Sequence, residues 1–204
     1  MEAKSLASIT PKELTVMNSG FRKILMKLYE FPIINIMVQQ HHINLHNKII
    51  LDAGCGNGNS TRLIAHKFKP FRLDAFDVLP EQITQAQKLK VNATFFIGDV
   101  TQIQKESELY DVVFIFGILH HVPLWHNAIG EIHRVLKSGG YFLLEEPTQK
   151  LLDHAEHHHN LIHPNDARFT YDEMKTALEI SGFQIIDGKM KLKGNLMFII
   201  AKKK

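Results

Sequence analysis

From Lys48 onward the chain is a series of short apolar runs, each closed by a polar or glycine turn: "KIILDAG", "FRLDAFDV", "ATFFIGD", "YDVVFIFG" and "GYFLLEEP". Continuous apolar runs of this length suit strands covered on both faces. Stretches of helical period lie between them, at about residues 59–68, 80–90, 124–137 and 170–181. Alternating strands and helices predict a parallel sheet with helices on both faces, since parallel neighbours need a crossover. The end of the chain departs from this rule. "FQIID" and "LMFIIA" are separated only by "GKMKLKGN", too short for a crossover helix, so an antiparallel hairpin is expected there.

Ahead of the alternating region, Leu14, Met17, Phe21, Leu25 and Leu28 recur every three or four residues, and Pro32 is expected to interrupt the helix before "IINIMVQQHHINL". Residues 1–46 are therefore assigned to an N-terminal helical extension or lid and residues 47–204 to one α/β domain. With 204 residues and 45% hydrophobic content, the chain has material for a single core and a small appendage. The balance of 24 Lys and Arg against 21 acids, a formal charge of +3, is too small to mark a nucleic-acid binder. Cys55 is the single cysteine, which excludes an internal disulfide framework. "MEAKSLASIT" has no apolar export core, and no run approaches the roughly 18 apolar residues of a spanning helix, so a cytoplasmic protein without a membrane span is expected.

The first strand ends in Asp52-Ala53-Gly54-Cys55-Gly56-Asn57-Gly58 and opens a helix. Three glycines at alternate positions place bare backbone beneath a ligand at a helix N-terminus. A dinucleotide fingerprint needs glycine or alanine three residues after its second glycine, and that position is Asn59. Asp52 would repel a pyrophosphate and suits a cationic ligand better, and no Gly-Lys-Ser/Thr follows to make a phosphate cradle.

"LDAGCGNGN" resembles the glycine motif of the class I S-adenosylmethionine-dependent methyltransferases, and four further elements are similar to theirs in the same order: "LDAFDVLPEQITQAQ", "FFIGDVTQI", "YDVVFIFGILHHV" and "EIHRVLKSGGYFLLEEP". The resemblance implies a doubly wound, mainly parallel, seven-stranded Rossmann-like sheet with a C-terminal antiparallel hairpin, and S-adenosyl-L-methionine as cofactor. It assigns Asp52, Gly54, Cys55, Gly56, Asn57 and Gly58 to the cofactor loop, and Asp77 with Val78 to the ribose hydroxyls. Asp99 and Val100 fall at the adenine, and Phe116 and Gly117 beside the methionine moiety. Cys55, flanked by glycines, suits a packing residue rather than a nucleophile.

The fourth strand ends in "FGIL", not in the Asn/Asp-Pro-Pro-Tyr of the family's amide and exocyclic-amine methylating enzymes, nor in the acid of its magnesium-binding catechol type. "LHHVPLWHNAIGEIHRVLKSGG" is most similar to the small-molecule enzymes, including the ubiquinone and menaquinone group. A small-molecule acceptor, and a monomer or homodimer, are expected. An RNA or protein methyltransferase using Arg22, Lys23, Lys27 and the lysines of 189–204, or a non-catalytic cofactor-binding module, are the alternatives. His120 and His121 read as strand-end packing residues, and Trp125 as core or pocket wall. In "LLDHAEHHHNLIH" a helix would pair His154 with His158 and His159 with His163, beside Asp153 and Glu156. Such pairs can ligate a transition metal, but a site needs at least three converging ligands. The segment suits a solvated loop or lid helix. His154, His158, His159 and His163 are candidate bases or acceptor contacts, and no metal ligand is assigned.

Overall fold

The computed structural model describes residues 10–159, 161 and 163–204; residues 1–9 of the N-terminal extension lie outside them. Seven strands form one sheet: β1 (Ile49–Ala53), β2 (Arg72–Asp77), β3 (Thr94–Ile97), β4 (Tyr110–Phe116), β5 (Leu136–Pro147), β6 (Phe183–Lys191) and β7 (Leu196–Lys203), in the spatial order β3-β2-β1-β4-β5-β7-β6. The first five are parallel, and β7 runs antiparallel to both β5 and β6. The short "GKMKLKGN" link thus makes the hairpin its length requires. Its last strand enters the sheet beside β5 and leaves β6 at the edge.

The strand period of two divides the apolar runs between two cores. On β4, Val113 and Ile115 face one cluster, while Val112, Phe114 and Phe116 face the other. On β7, Met197, Ile199 and Ala201 alternate in the same way with Leu196, Phe198 and Ile200.

The helices are α1 (Pro11–Met17), α2 (Gly20–Leu25), α3 (Phe31–Gln40), α4 (Asn59–Phe68), α5 (Pro80–Ala86), α6 (Trp125–Val135), α7 (Gln149–His159) and α8 (Tyr171–Ile180). Ile129 and Ile132 of α6 and Met174 and Leu178 of α8 fill the first core. Phe31, Ile34, Met37 and Val38 of α3, with Ile64 and Phe68 of α4, fill the second. Burying each such side chain contributes roughly 1.5–3 kcal/mol, so α3 is fixed to the sheet by its own apolar face. Thr170 starts α8 with a capping box: its hydroxyl accepts from the Glu173 N–H, and the Glu173 carboxylate accepts from the Thr170 N–H.

Two expectations about helices are corrected. Pro32 does not interrupt the N-terminal extension. A π-helical turn, Met26–Glu30, joins α2 to α3, and Pro32 falls in the first turn of α3. The Phe31 N–H donates to the Met26 carbonyl five residues back, and the ring of Pro32 is tolerated in a first turn. The helix expected over 80–90 ends at Ala86, because Lys88 and Leu89 donate to Gln85 and Ala86, three residues back, and tighten the chain into a turn.

Candidate active site

β1 and β4 are neighbours in the sheet, but the connections leaving them run to opposite sides, and their carboxyl ends border the crevice where this kind of sheet receives ligands. An open cleft lies there. Its floor is Gly54–Asn57 with Asn59 and Ser60, one wall is Phe116, Gly117 and Ile118, and the opposite side is Asn18, Arg22, Lys23 and Met26 of the N-terminal extension.

The three glycines of the loop have different functions. Gly54, Gly56 and Gly58 all have positive φ, at 74°, 53° and 83°. A Cβ on Gly54 would come within 2.6 Å of Ile118 Cγ2, and one on Gly58 within 2.7 Å of Leu89 Cδ1. Those two allow neighbouring side chains to pack against the turn. A Cβ on Gly56 meets nothing within 4 Å and would project into open space. Only Gly56 leaves room for a ligand. Cys55 is buried, and burial raises its thiol well above its ordinary range, consistent with packing rather than nucleophilic chemistry.

Asp52 anchors the loop from beneath. Its Oδ2 accepts from Ser60 Oγ at 2.7 Å and Thr61 Oγ1 at 2.6 Å, tying the first turn of α4 to the end of β1. Oδ1 is buried without a hydrogen-bond partner, and burial pushes the carboxyl up to about 6. Asp77, at the end of β2, accepts from the Gly56 N–H at 2.9 Å and from the Leu79 N–H at 3.0 Å. The acid expected at the ribose therefore holds the open glycine in place, and its two oxygens retain free acceptor sites. Val78 beside it is half-buried. Asp99 is tied within its own turn, accepting from the Thr101 N–H and hydroxyl, and Val100 is a core residue. Neither lines the cleft, which ends at the glycine loop and β4.

The N-terminal extension bonds to the loop directly. Asn18 Oδ1 accepts from Asn57 Nδ2 at 3.0 Å and from Gln82 Nε2 at 3.1 Å. Arg22 turns inward to an ion pair with Glu30 and lies 3.8 Å from Glu145, both acids being buried. A Cβ on Gly117 would stand 3.3 Å from Arg22 Nη2, 3.6 Å from Glu145 Oε2 and 3.8 Å from His120 Cε1. A cation, a carboxylate and an imidazole thus converge on the end of β4. Burial raises Glu145 well above the ordinary carboxylate range, and its Oε2 has no hydrogen-bond partner. The sequence names Arg22 only among the basic residues of the RNA- or protein-methyltransferase alternative and does not single out Glu145. The available signal was two adjacent acids closing the apolar run "GYFLLEEP".

The expected histidine set is divided by the structure. His154, His158 and His159 lie exposed on α7, where His154 and His158 stack at 4.3 Å as the spacing of four requires. Asp153 and Glu156 pair with Arg168. His163, beyond α7, is buried against His120 and His121, with ring centroids 5.3 and 5.2 Å away. Glu146 positions His120: its Oε2 is 2.8 Å from His120 Nδ1, while Oε1 accepts from the N–H groups of Ile118 and Leu119. Burial pushes Glu146 up to about 8 and both His120 and His121 well below the usual imidazole range.

A family model described as a methyltransferase domain matches residues 50–140. The sterol 24-C-methyltransferase of Kluyveromyces lactis is 26% identical over 155 residues, covering 69% of this chain and 42% of that protein. The malonyl-[acyl-carrier protein] O-methyltransferase of Herminiimonas arsenicoxydans is 33% identical over 110 residues, 52% of this chain and 40% of that protein. The chain thus spans about two fifths of the length of these curated relatives. In fold it superposes on an S-adenosylmethionine-dependent methyltransferase from Mesorhizobium loti with a TM-score of 0.72 at 15% identity, covering 85% of this chain and 97% of that one.

Proposed function

We propose that the chain, which resembles the class I S-adenosylmethionine-dependent methyltransferases through the methyltransferase domain matched at residues 50–140, transfers a methyl group from S-adenosyl-L-methionine to a small-molecule acceptor by in-line displacement. The observation that carries this reading is Gly56, whose left-handed backbone opens onto the cleft while its N–H is held by Asp77. A cradle that a single Cβ would fill, next to a carboxylate with acceptor capacity left over, fits a cofactor bearing a ribose. When bound, that cofactor supplies a methyl carbon on a sulfonium, which leaves as a neutral thioether.

The protein's share is chiefly positioning. Gly56 admits the cofactor's chain, Asp77 accepts from the ribose hydroxyls, and Phe116 and Gly117 border the reacting end. Asn18, Arg22, Lys23 and Met26 line the cleft from the side of the N-terminal extension, which supports a lid role for that segment. Holding the acceptor's lone pair in line with the methyl carbon supplies most of the rate, and a base is needed only where the acceptor must lose a proton.

A small acceptor is supported by the sterol methyltransferase relative. Three of the nine cations named for the RNA-binding alternative are engaged within the chain. Arg22 faces buried acids, Lys189 is held by Gln40 and Asp187, and Lys203 by Glu108 and the Leu136 carbonyl. A quinone-type acceptor, which the sequence around His120 suggests, belongs to this class. Among the described residues no helix is long and apolar enough to cross a membrane.

Titration calorimetry with S-adenosylmethionine and S-adenosylhomocysteine tests the cofactor assignment, with binding of both expected. No heat from either at millimolar concentration overturns it. Turnover against candidate acceptors, guided by a crystal structure with S-adenosylhomocysteine, then tests the acceptor class.

A further inference from the structure

We propose that His120, His121 and His163 form a site for one divalent transition-metal ion of the zinc class, set in the wall of the cleft. The three side chains come from two separate segments: His120 and His121 from the 3-10 turn after β4, and His163 from the stretch between α7 and α8. Each offers a ring nitrogen such that all three atoms lie within 4.8 Å of one another, and all three residues are buried. Nitrogens bound to zinc at about 2.0–2.1 Å are roughly 3.3 Å apart in a tetrahedral site, so small side-chain rotations close the set. Among the described residues this is the cluster with metal-ligand geometry.

Two further observations point to a ligand. Glu146 is fixed by two backbone N–H groups and lies 2.8 Å from His120 Nδ1. With the proton on Nδ1 it directs His120 Nε2 as a donor, the carboxylate–histidine arrangement that orients metal-binding imidazoles. His121, 4% exposed, has a buried Nδ1 without a hydrogen-bond partner, a polar atom that costs free energy unless something pairs with it. The three rings pack against one another with centroids 4.0, 5.2 and 5.3 Å apart.

Three histidines leave a fourth position open, as in catalytic zinc sites. His120 adjoins Gly117, and Ile118, just before the turn, lines the cleft. An acceptor with an oxygen, nitrogen or sulfur donor occupies that position and is held by the metal beside the reacting end. This role rests on the methyltransferase reading, whereas metal binding itself does not.

The test uses the full chain, purified without a histidine tag and stripped with chelator. Cobalt(II) is expected to bind one equivalent and to develop the visible absorption of a tetrahedral site. Zinc(II) at about 100 times its dissociation constant should raise the wild-type Tm by about 5–10 °C. His163→Ala and His121→Ala should each lose the cobalt spectrum, while a variant with His154→Ala, His158→Ala and His159→Ala keeps it. Affinity for S-adenosylhomocysteine, measured on the same samples without metal, reports whether each variant is folded. A cobalt spectrum retained by His163→Ala, or lost in the α7 variant, overturns the proposal. So does a wild-type chain that binds no stoichiometric metal and shows no Tm shift. Metal bound by a chain that ignores S-adenosylhomocysteine would refute the methyltransferase reading and leave this site standing.

Discussion

Replacing one glycine at a time separates the part of the loop that folds from the part that binds. Gly56→Ala adds a methyl that meets no protein atom within 4 Å, so its cost to folding is the left-handed backbone alone, about 1–2 kcal/mol. At roughly 2–4 °C per kcal/mol for a chain of this size, Tm should fall by about 2–8 °C. The same methyl occupies the space in which a ligand approaches the loop, and affinity for S-adenosylhomocysteine should fall by at least about 100-fold, or ~2.7 kcal/mol. Gly54→Ala carries the same strain and also drives a methyl to 2.6 Å from Ile118 Cγ2. Overpacking adds about 1–3 kcal/mol, so the expected loss in Tm is about 4–20 °C. Scanning calorimetry and titration calorimetry on both variants give the two numbers independently. A folded Gly56→Ala chain that binds S-adenosylhomocysteine as tightly as wild type would refute the claim that Gly56 is the open position of the cradle.

Asp77→Ala removes the acceptor of the Gly56 N–H together with that of the ribose, and each lost charged hydrogen bond costs on the order of 1.5–3 kcal/mol. Titration calorimetry should show affinity lower by about 10-fold or more, and unchanged affinity would move the ribose acid elsewhere. Arg22→Met strands Glu30 and Glu145, both buried, and should cost about 3–5 kcal/mol in urea unfolding. Adding Glu30→Gln should recover part of this; no recovery would show that the ion pair is not the source. Asp52 titrates at about 6 in the folded chain, above its ordinary value of 3.8, so the unfolded state gives up this proton first. Its contribution is fully present below about pH 4 and is lost as pH rises through 6, by on the order of 3 kcal/mol. Comparing urea midpoints of wild type and Asp52→Asn at pH 4.5 and 6.5 captures about 2 kcal/mol of that loss, and parallel pH trends in the two chains would count against it.

The parts of the fold that depend on one segment at a time were legible in the sequence. The apolar runs located the strands, and the length of "GKMKLKGN" dictated the hairpin. What the sequence could not show was set by contacts between distant segments. Gly54 and Gly58 have the same residue type and backbone sign as Gly56, and only Ile118 and Leu89, folded over them, make their functions differ. Helical spacing correctly paired His154 with His158, but spacing cannot reveal that His163 lies past the end of α7 and meets two histidines from more than 40 residues earlier. Pro32 was misjudged because its effect depends on the width of the turn before it. Arg22 and Glu145 carried charge of the kind that local pattern assigns to solvent, and their burial follows from how α2 lies across the end of β4.

The insertion of β7 between β5 and β6 has a consequence for how the chain assembles. β5 runs to Pro147 and β7 begins at Leu196, so the hydrogen-bonding edge of β5 is made long before the strand that covers it. During synthesis that edge, carrying Phe142, Leu143 and Leu144, is exposed until the last strand emerges from the ribosome. For that interval the half-built sheet is a template for any extended segment, including one from a second nascent copy. A longer interval before β7 emerges is therefore expected to lower the yield of soluble protein.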